Sequence, residues 1–333
     1  MKLPSIFNCS NDMALAANVR QYLPPRRIQQ MEADLASLAH VWEDTQFAGP
    51  WGWSLATKQR YRRMGIAEEL LPSDEWIAEV RRLSSREFAC RYIMDLLEDI
   101  PDGRLLGHEM RFNDNLNDNH NHNLNLNLNL NHNLNHNFNF DGSLIFKSPW
   151  SSSGRGVFVS SSYDEHTRQR LQGFLSSQGG FVSDRFYADK VLDFAMEFFV
   201  SDDKRVEFLG YSVFSTGEHG AYGFNYVESQ EELWERIDID RTFLQRLIAY
   251  HREHLSRIAY FGPVGIDMLK TVDGHIHPCL EINFRMNMGI LALLLHERYG
   301  SRATVALTSG RDKGFRALLD DGKLLIDYIT PTV

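Results

Sequence analysis

The segment 262–289 constrains this chain more than any other part of its sequence. Two apolar-rich runs flank an Asp273-Gly274 turn signal, which predicts a β-hairpin. The polar residues within and just after these runs are Asp267, Glu281, Asn283 and Arg285. Mg²⁺ prefers oxygen ligands, and arginine binds phosphoryl groups in a bidentate geometry. The hairpin therefore indicates chemistry with Mg²⁺ and a nucleotide.

The alternation of side chains along a strand sets a condition on this site. Glu281, Asn283 and Arg285 share a face because they are two residues apart. A three-residue loop of 273–275 places Asp267 opposite Glu281, whereas a two-residue loop places them on opposite faces. A metal site therefore requires a three-residue turn or a bulge near the turn. The alternative is an ordinary hairpin with a solvated polar face.

Length, charge and cysteine content narrow the class of protein. The 333 residues suffice for two or three domains, and the net charge of −9 argues against a general nucleic-acid or acidic-membrane binder. We find no apolar run long enough to span a bilayer and no convincing signal peptide. Cys9, Cys90 and Cys279 are widely spaced, unlike a disulfide framework or a zinc site. We therefore expect a cytoplasmic protein with neither a nucleic-acid nor a membrane partner.

The chain divides into two expected domains and an insert. Residues 1–84 are predicted to form an α/β domain that begins with a short strand at Leu3–Phe7, and residues 85–333 an α+β domain. Within the second domain, residues 113–140 alternate Asn with Leu, His, Asp or Phe. This pattern favours a low-complexity insert in a surface loop, or else a strand pair with one Asn face.

A second constellation begins with Lys147 at the end of a predicted strand at 143–147. A loop of small residues, 148–156, follows it. Small residues let backbone N–H groups approach phosphate oxygens, and the lysine supplies a point charge. The segment is not a Walker loop, because the lysine precedes the glycines. Taken alone, the loop is weak evidence for a phosphate site, and a plain hairpin turn is the favoured interpretation.

Together, the two segments resemble the ATP-grasp superfamily. In that family, a strand-end lysine and a Gly-rich loop cover the ATP phosphates, and an acidic residue with a later Glu-x-Asn motif binds Mg²⁺. Lys147, Asp267, Glu281 and Asn283 stand in that order here, and Arg285 matches the basic residue that often follows the motif. The whole chain is most similar to bacterial ATP-grasp proteins that have no assigned substrate.

The resemblance extends to the middle of the chain. Residues 182–187 resemble the hinge strand that contacts adenine, and Asp193 stands where an acidic residue lies near the ribose. Arg86 follows Ser85 where many members carry Asp-Lys. The nucleotide contacts that the resemblance implies are Lys147, Ser151, Ser152, Ser153, Gly154, Arg155, Gly156, Asp184, Arg185, Phe186, Asp193 and Arg86.

Some residues keep two interpretations at this stage. Asn8, Asn11 and Asp12 follow the expected first strand, where α/β sheets bind ligands, so a substrate role and a structural role both remain open. Glu197 faces either the site or solvent. For Trp51 and Cys279 we favour packing roles.

The resemblance implies an ATP-grasp fold, with the nucleotide held between two α+β lobes. It also implies an ATP-dependent ligase that joins a small carboxylate to an amine through an acyl phosphate. Lys147 and Arg285 would stabilise the transferring phosphoryl group, while Asp267, Glu281 and Asn283 would hold Mg²⁺, with Mn²⁺ as an alternative. The alternative functions are a phosphotransferase on the same fold and a nucleotide-binding module without turnover.

Overall fold

The computed structural model describes residues 3–114, 142–151, 154, 156–217, 221–300, 302–310 and 314–319. Most of the Asn-rich insert, 115–140, lies outside this range, as do Ser152, Ser153 and Arg155. Within the described ranges, no helix is both long and apolar enough to cross a bilayer.

The N-terminal residues are helical rather than α/β. Ile6 forms one isolated parallel bridge with Pro50, so the predicted strand at Leu3–Phe7 is wrong. In this parallel bridge the N–H of Ile6 donates to the carbonyl of Gly49 and its carbonyl accepts the N–H of Trp51, and no further residue of 3–7 forms a bridge. The elements here are α1 (Asn11–Ala17), α2 (Arg26–Asp34), a 3₁₀ helix (Ala36–Val41), α3 (Leu55–Arg63), a 3₁₀ turn (Glu68–Leu70) and α4 (Asp74–Leu83).

A small antiparallel sheet follows α5 (Arg86–Asp99). That helix begins as predicted at Ser85, whose hydroxyl accepts the backbone N–H of Glu87. The strands are β1 (Arg111–Asp114), β2 (Leu144–Lys147), β3 (Val157–Ser160) and, after α6 (Glu165–Gln178), β4 (Gly180–Arg185). Their order is β1-β4-β2-β3. The insert predicted to begin at 113 therefore begins later, because Asn113 and Asp114 pair with β4.

A larger antiparallel sheet has the order β11-β10-β7-β6-β5-β8-β9. Runs of two or three strands are separated by helices, and all the pairings in this sheet are antiparallel, which makes the described structure α+β, as predicted. The elements are β5 (Lys190–Val200), β6 (Val206–Thr216), β7 (Tyr222–Val227), α7 (Gln230–Ile237), α8 (Arg241–Arg257), β8 (Gly262–Thr271), β9 (Ile276–Asn283), α9 (Met288–Tyr299), β10 (Ala303–Gly310) and β11 (Gly314–Leu319).

The alternation along β5 separates the core from the functional face of this sheet. Phe194, Met196 and Phe198 are fully buried in the core cluster that includes residues of α5 and α8. Asp193 and Glu197 point to the other face and line a cavity. One strand thus supplies apolar side chains to the core and carboxylates to the site.

Candidate active site

A cavity of about 490 Å³ is lined by residues of both sheets and of the N-terminal segment. Its size is that of a typical small-ligand pocket. Lys147 enters from the small sheet, and Asp267 from the large sheet. The other charged residues that line it are Arg86, Asp184, Arg185, Lys190, Asp193, Glu197, Glu281 and Arg285.

The β8–β9 hairpin meets the geometric condition set by the sequence. Asp267 and Glu281 are direct cross-strand partners, so they share a face. The turn itself lies one residue earlier than predicted, because the backbone N–H of Thr271 bonds to the carbonyl of His275 and leaves 272–274 as the loop. Between Leu269 and Asp267 the register shifts by two residues on β9. Pro278, which cannot donate to the ladder, lies within that irregularity.

Asp267 lies in a crowded acidic environment. Its pKa is raised well above the ordinary range, first by burial and then by the nearby carboxylates of Glu281 and Glu197. The amide nitrogen of Asn283 donates to Asp267 Oδ2 at 3.1 Å. Adjacent carboxylates that repel one another are stabilised by a bound cation, so the predicted ligands Asp267, Glu281 and Asn283 fit a hard divalent ion.

This set holds two carboxylates and one amide. Among the described residues, this set included, no cluster of three or more His, Cys, Asp or Glu side chains is arranged to hold a metal. The assignment of Asp267, Glu281 and Asn283 as metal ligands therefore stays a prediction, and it is supported by their common face.

Arg86 connects β9 to the loop 148–156. Its guanidinium is buried, and Nη2 donates to Glu281 Oε2 at 2.7 Å. Nη1 donates to the carbonyl of Ser148 and to Ser151 Oγ, both at 2.7 Å. The sequence indicated Arg86 as a phosphate ligand and gave no sign that one of its partners is Glu281, which lies 195 residues away.

Lys147 occupies the end of β2, almost fully buried. Burial lowers the pKa of its ammonium group, and Asp184 and Glu281 oppose that effect. The loop after it closes with a hydrogen bond from the Ser148 N–H to the Gly156 carbonyl at 2.8 Å. Gly156 has a positive φ of 66°, and a Cβ there would lie 2.3 Å from Ser148 Oγ, so this position needs glycine.

Asp184, Arg185 and Phe186, which were predicted to belong to a hinge strand, all line the cavity. The Asp184 carboxylate is buried, and its Oδ2 lies 3.1 Å from Nε2 of His277 on β9. Asp193 accepts hydrogen bonds from Lys190 Nζ and Thr216 Oγ1, each at 2.6 Å. Lys190 was not singled out in the sequence, although it lies three residues before Asp193 on the same strand.

Arg285 is held by the N-terminal segment. Its Nε and Nη2 donate to the two carboxylate oxygens of Asp12, at 2.9 and 2.8 Å. Burial acts to lower the pKa of Arg285, but Asp12, Glu281 and Asp267 outweigh it and raise that pKa. The open question about Asp12 thus gains a specific answer: in this structure it orients the arginine.

Glu197 faces the site rather than solvent. Its carboxylate accepts hydrogen bonds from Ser212 Oγ at 2.7 Å and Asn287 Nδ2 at 2.8 Å. Burial raises the pKa of Glu197 to about 7. A Cβ at Gly289 would lie 2.1 Å from Glu197 Oε1, so the backbone packs directly against this carboxylate. Cys279 is buried in the core, consistent with the favoured packing role, whereas Trp51 is buried in the core and also lines the cavity.

No protein-family model and no curated protein matches this chain. Similar solved structures include an N5-carboxyaminoimidazole ribonucleotide synthetase in complex with ADP, which is 11% identical with a TM-score of 0.49, over 98% of this chain and 95% of that one. An Archaeoglobus fulgidus protein described as belonging to the ATP-grasp superfamily is 14% identical with a TM-score of 0.35, over 54% and 55% of the two chains. The structural neighbours include ATP-grasp proteins.

Several other similar structures belong to much longer chains. The Campylobacter jejuni biotin carboxylase in complex with a nucleotide analogue is 14% identical with a TM-score of 0.36, and the match covers 53% of this chain and 40% of that one. The match to Rhizobium etli pyruvate carboxylase covers 13% of that chain. This chain therefore spans well under two thirds of the length of these proteins.

Proposed function

We propose that this chain is an ATP-dependent ligase of the ATP-grasp type that joins a carboxylate to an amine. The observation that carries the proposal is the pairing of Asp267 with Glu281 on the wall of a cavity that also contains Lys147 and Arg285. The paired carboxylates would suit a divalent metal ion, and the cationic side chains of Lys147 and Arg285 would suit the phosphoryl oxygens.

In this proposal the nucleotide lies between the two sheets. Residues 184–186 would contact the adenine, Asp193 the ribose, and Lys147, Arg86 and the loop residues Ser151, Ser152, Ser153, Gly154, Arg155 and Gly156 the phosphates. Bound Mg²⁺, or Mn²⁺, would neutralise charge on the phosphate oxygens. Asp267, Glu281 and Asn283 would be its protein ligands, and Arg86 would then release Glu281.

In the proposed reaction, residues of this chain would orient the substrates and stabilise the negative charge that develops on the phosphoryl group. A substrate carboxylate attacks the γ-phosphorus of ATP, which gives an acyl phosphate and ADP, and an amine then displaces the phosphate. Lys147 and Arg285 would stabilise negative charge on the transferring group. Asp12 would fix the direction of Arg285, and the loop after Lys147 would exclude the water that hydrolyses an acyl phosphate.

The test is ADP release by the full-length chain with Mg²⁺-ATP and pooled amino acids, peptides and small carboxylates, followed by mass spectrometry of the products. A condensed product is the expected result. A phosphorylated product without condensation would indicate a phosphotransferase, and nucleotide binding without ADP release would indicate a binding module.

Lys147→Ala is the decisive variant. We expect Mg²⁺-ATP affinity to fall at least about tenfold, because one charged contact to phosphate contributes roughly 1.4 kcal/mol or more. Lys270→Ala is the matched control, since Lys270 lies on β8 and bonds to the carbonyls of Ile237 and Asp238. Unchanged nucleotide affinity and turnover in Lys147→Ala would refute the assignment.

A further inference from the structure

Part of the cavity wall, on the side of β6, β7 and β10, is lined mainly by apolar side chains. We call this part the apolar end and define it by Ile28, Met31, Phe214, Asn225, Met288 and Leu307. They come from α2, β6, β7, α9 and β10. Five of the six are apolar and none carries a charge, in contrast to the region around Lys147 and Asp267.

The strand register shows where this end lies on the large sheet. Asp193 on β5 pairs with Phe214 on β6, and Phe214 pairs with Asn225 on β7. Cross-strand partners share a face, so all three side chains lie in one row on the cavity face. Asn225 is therefore two strands beyond Asp193, or roughly 10 Å away. That displacement takes the apolar end away from the hinge residues that we assign to adenine.

Asn225 gives this end a specific polar group. The residue is 2% exposed, and its amide nitrogen has no hydrogen-bond partner among the described residues. A buried donor without a partner is costly, and such groups are usually satisfied by a ligand or by water. An apolar cavity with one convergent polar group is the usual composition of a small-molecule site.

We propose that the apolar end is the acceptor subsite and that it binds a carboxylate compound with an apolar, aliphatic or aromatic body. Its body would pack against Met31, Phe214 and Leu307, an oxygen on that body would accept a hydrogen bond from Asn225, and its carboxylate would extend toward the charged part of the cavity. The inference rests on the proposed ligase function and adds to it the class of substrate. A charged body would lose its hydration at these walls without a partner.

The test measures binding of four probes to the full-length chain saturated with Mg²⁺ and a non-hydrolysable ATP analogue. The probes are L-tyrosine and its O-methyl ether, whose apolar bodies end in one oxygen acceptor, and L-aspartate and L-lysine, which have charged bodies. Titration calorimetry should show at least one apolar probe binding about tenfold or more tightly than either charged probe. Equal affinity for charged and apolar probes, or no saturable binding of either apolar probe, overturns the proposal.

Two variants test the walls. Asn225→Leu removes the amide donor at similar volume, and Met31→Lys introduces a charge at a half-buried position. Each should weaken the apolar probe at least about fivefold, while Val272→Lys, at an exposed site in the β8–β9 turn, should not. Circular dichroism checks that each variant is folded. If Met31→Lys is unfolded, the test relies on Asn225→Leu and Asn225→Ser. Unchanged affinity for the apolar probe in both of these variants overturns the proposal.

The nucleotide measurement separates this inference from the proposed function. Affinity for the ATP analogue should be unchanged in every variant. If Asn225→Leu weakens the nucleotide instead of the probe, the apolar end belongs to the nucleotide pocket and the acceptor assignment is wrong. If the unmodified chain binds nucleotide but neither apolar probe, only this inference fails. If it does not bind Mg²⁺-nucleotide at all, the proposed function fails with it.

Discussion

At the scale of single residues, the ion pair between Arg86 and Glu281 has the widest consequences. It joins α5, the loop 148–156 and β9. The Arg86 side chain is 5% exposed and the Glu281 side chain 24%. We expect Arg86→Met to lower the free energy of unfolding by about 3 kcal/mol, because Glu281, Ser148 and Ser151 all lose a buried donor. Urea denaturation measures this change.

A double-mutant cycle isolates the pair itself. Arg86→Met and Glu281→Gln should be non-additive by about 1 kcal/mol or more, since the two groups are in contact. Arg91→Met with Glu87→Gln is the matched control, because that pair is largely exposed on the outside of the same helix. Full additivity at Arg86 and Glu281 would mean that the pair contributes little to stability.

Glu197 should make stability depend on pH. Its pKa in the folded chain is about 7, against an ordinary value of 4.5, so the unfolded chain loses this proton first as pH rises. The free energy of unfolding should therefore fall between about pH 4.5 and 7, by roughly 3 kcal/mol from this group, and not change further above pH 7.

Glu197→Gln removes the titrating group and keeps its shape. The difference in unfolding free energy between the unmodified chain and this variant should change across that pH range. Glu98→Gln, at an exposed position of α5, should give a constant difference. A pH-independent difference for Glu197→Gln would show that this carboxylate has an ordinary pKa in the folded protein.

At the scale of elements, the β8–β9 turn depends on Gly274. Its φ is 84°, and a Cβ there would meet nothing within 4 Å, so only backbone conformation opposes a side chain. Gly274→Ala should lower the free energy of unfolding by about 1 kcal/mol. Gly103→Ala tests an equally open position without positive φ and should be near neutral. Equal effects of the two substitutions would contradict this account.

The elements also show how far the sequence could predict the site. The hairpin and the shared face of Asp267 and Glu281 follow from local alternation and a turn signal, and both were predicted. The position of the register shift near Pro278 could not be predicted from the sequence. It depends on how β9 packs against its neighbours and not on the alternation of polar and apolar residues along the strand. The strand expected at Leu3–Phe7 was wrong for a similar reason, because an apolar run forms a strand only where a partner strand lies beside it. Here only Ile6 forms a bridge.

Local sequence patterns could not predict the contacts between segments that are distant in the chain. Asp12 holds Arg285 across 273 residues, and Arg86 reaches Glu281 across 195. The sequence analysis named each of these four residues as a candidate site residue. It could not predict which of them form ion pairs with one another, because that depends on the fold. Asn225 gave no signal at all, since its significance lies in being buried without a partner for its amide nitrogen among the described residues.

At the scale of the whole molecule, the topology constrains how the Asn-rich insert can be removed. β1 and β2 both pair with β4, one on each side, and both run antiparallel to it. Asp114 lies beside Gly180 at one end of β4, while Leu144 lies beside Arg185 at the other. The two ends are separated by roughly 19 Å, from five residues along a strand and two strand spacings.

Replacing residues 115–141 with a ten-residue Gly/Ser linker should therefore preserve both the melting temperature and Mg²⁺-ATP affinity. Such a linker reaches roughly 33 Å, enough to pass from one end of β4 to the other. Joining Asp114 directly to Gly142 is the contrasting variant: it spans only about 11 Å to Leu144, so β1 must leave the sheet and the melting temperature should fall. Thermal unfolding and nucleotide titration of both variants measure this. Loss of Mg²⁺-ATP binding by a folded linker variant would mean that the insert contributes to the site, and equal stability of the two variants would contradict the pairing of β1 with β4.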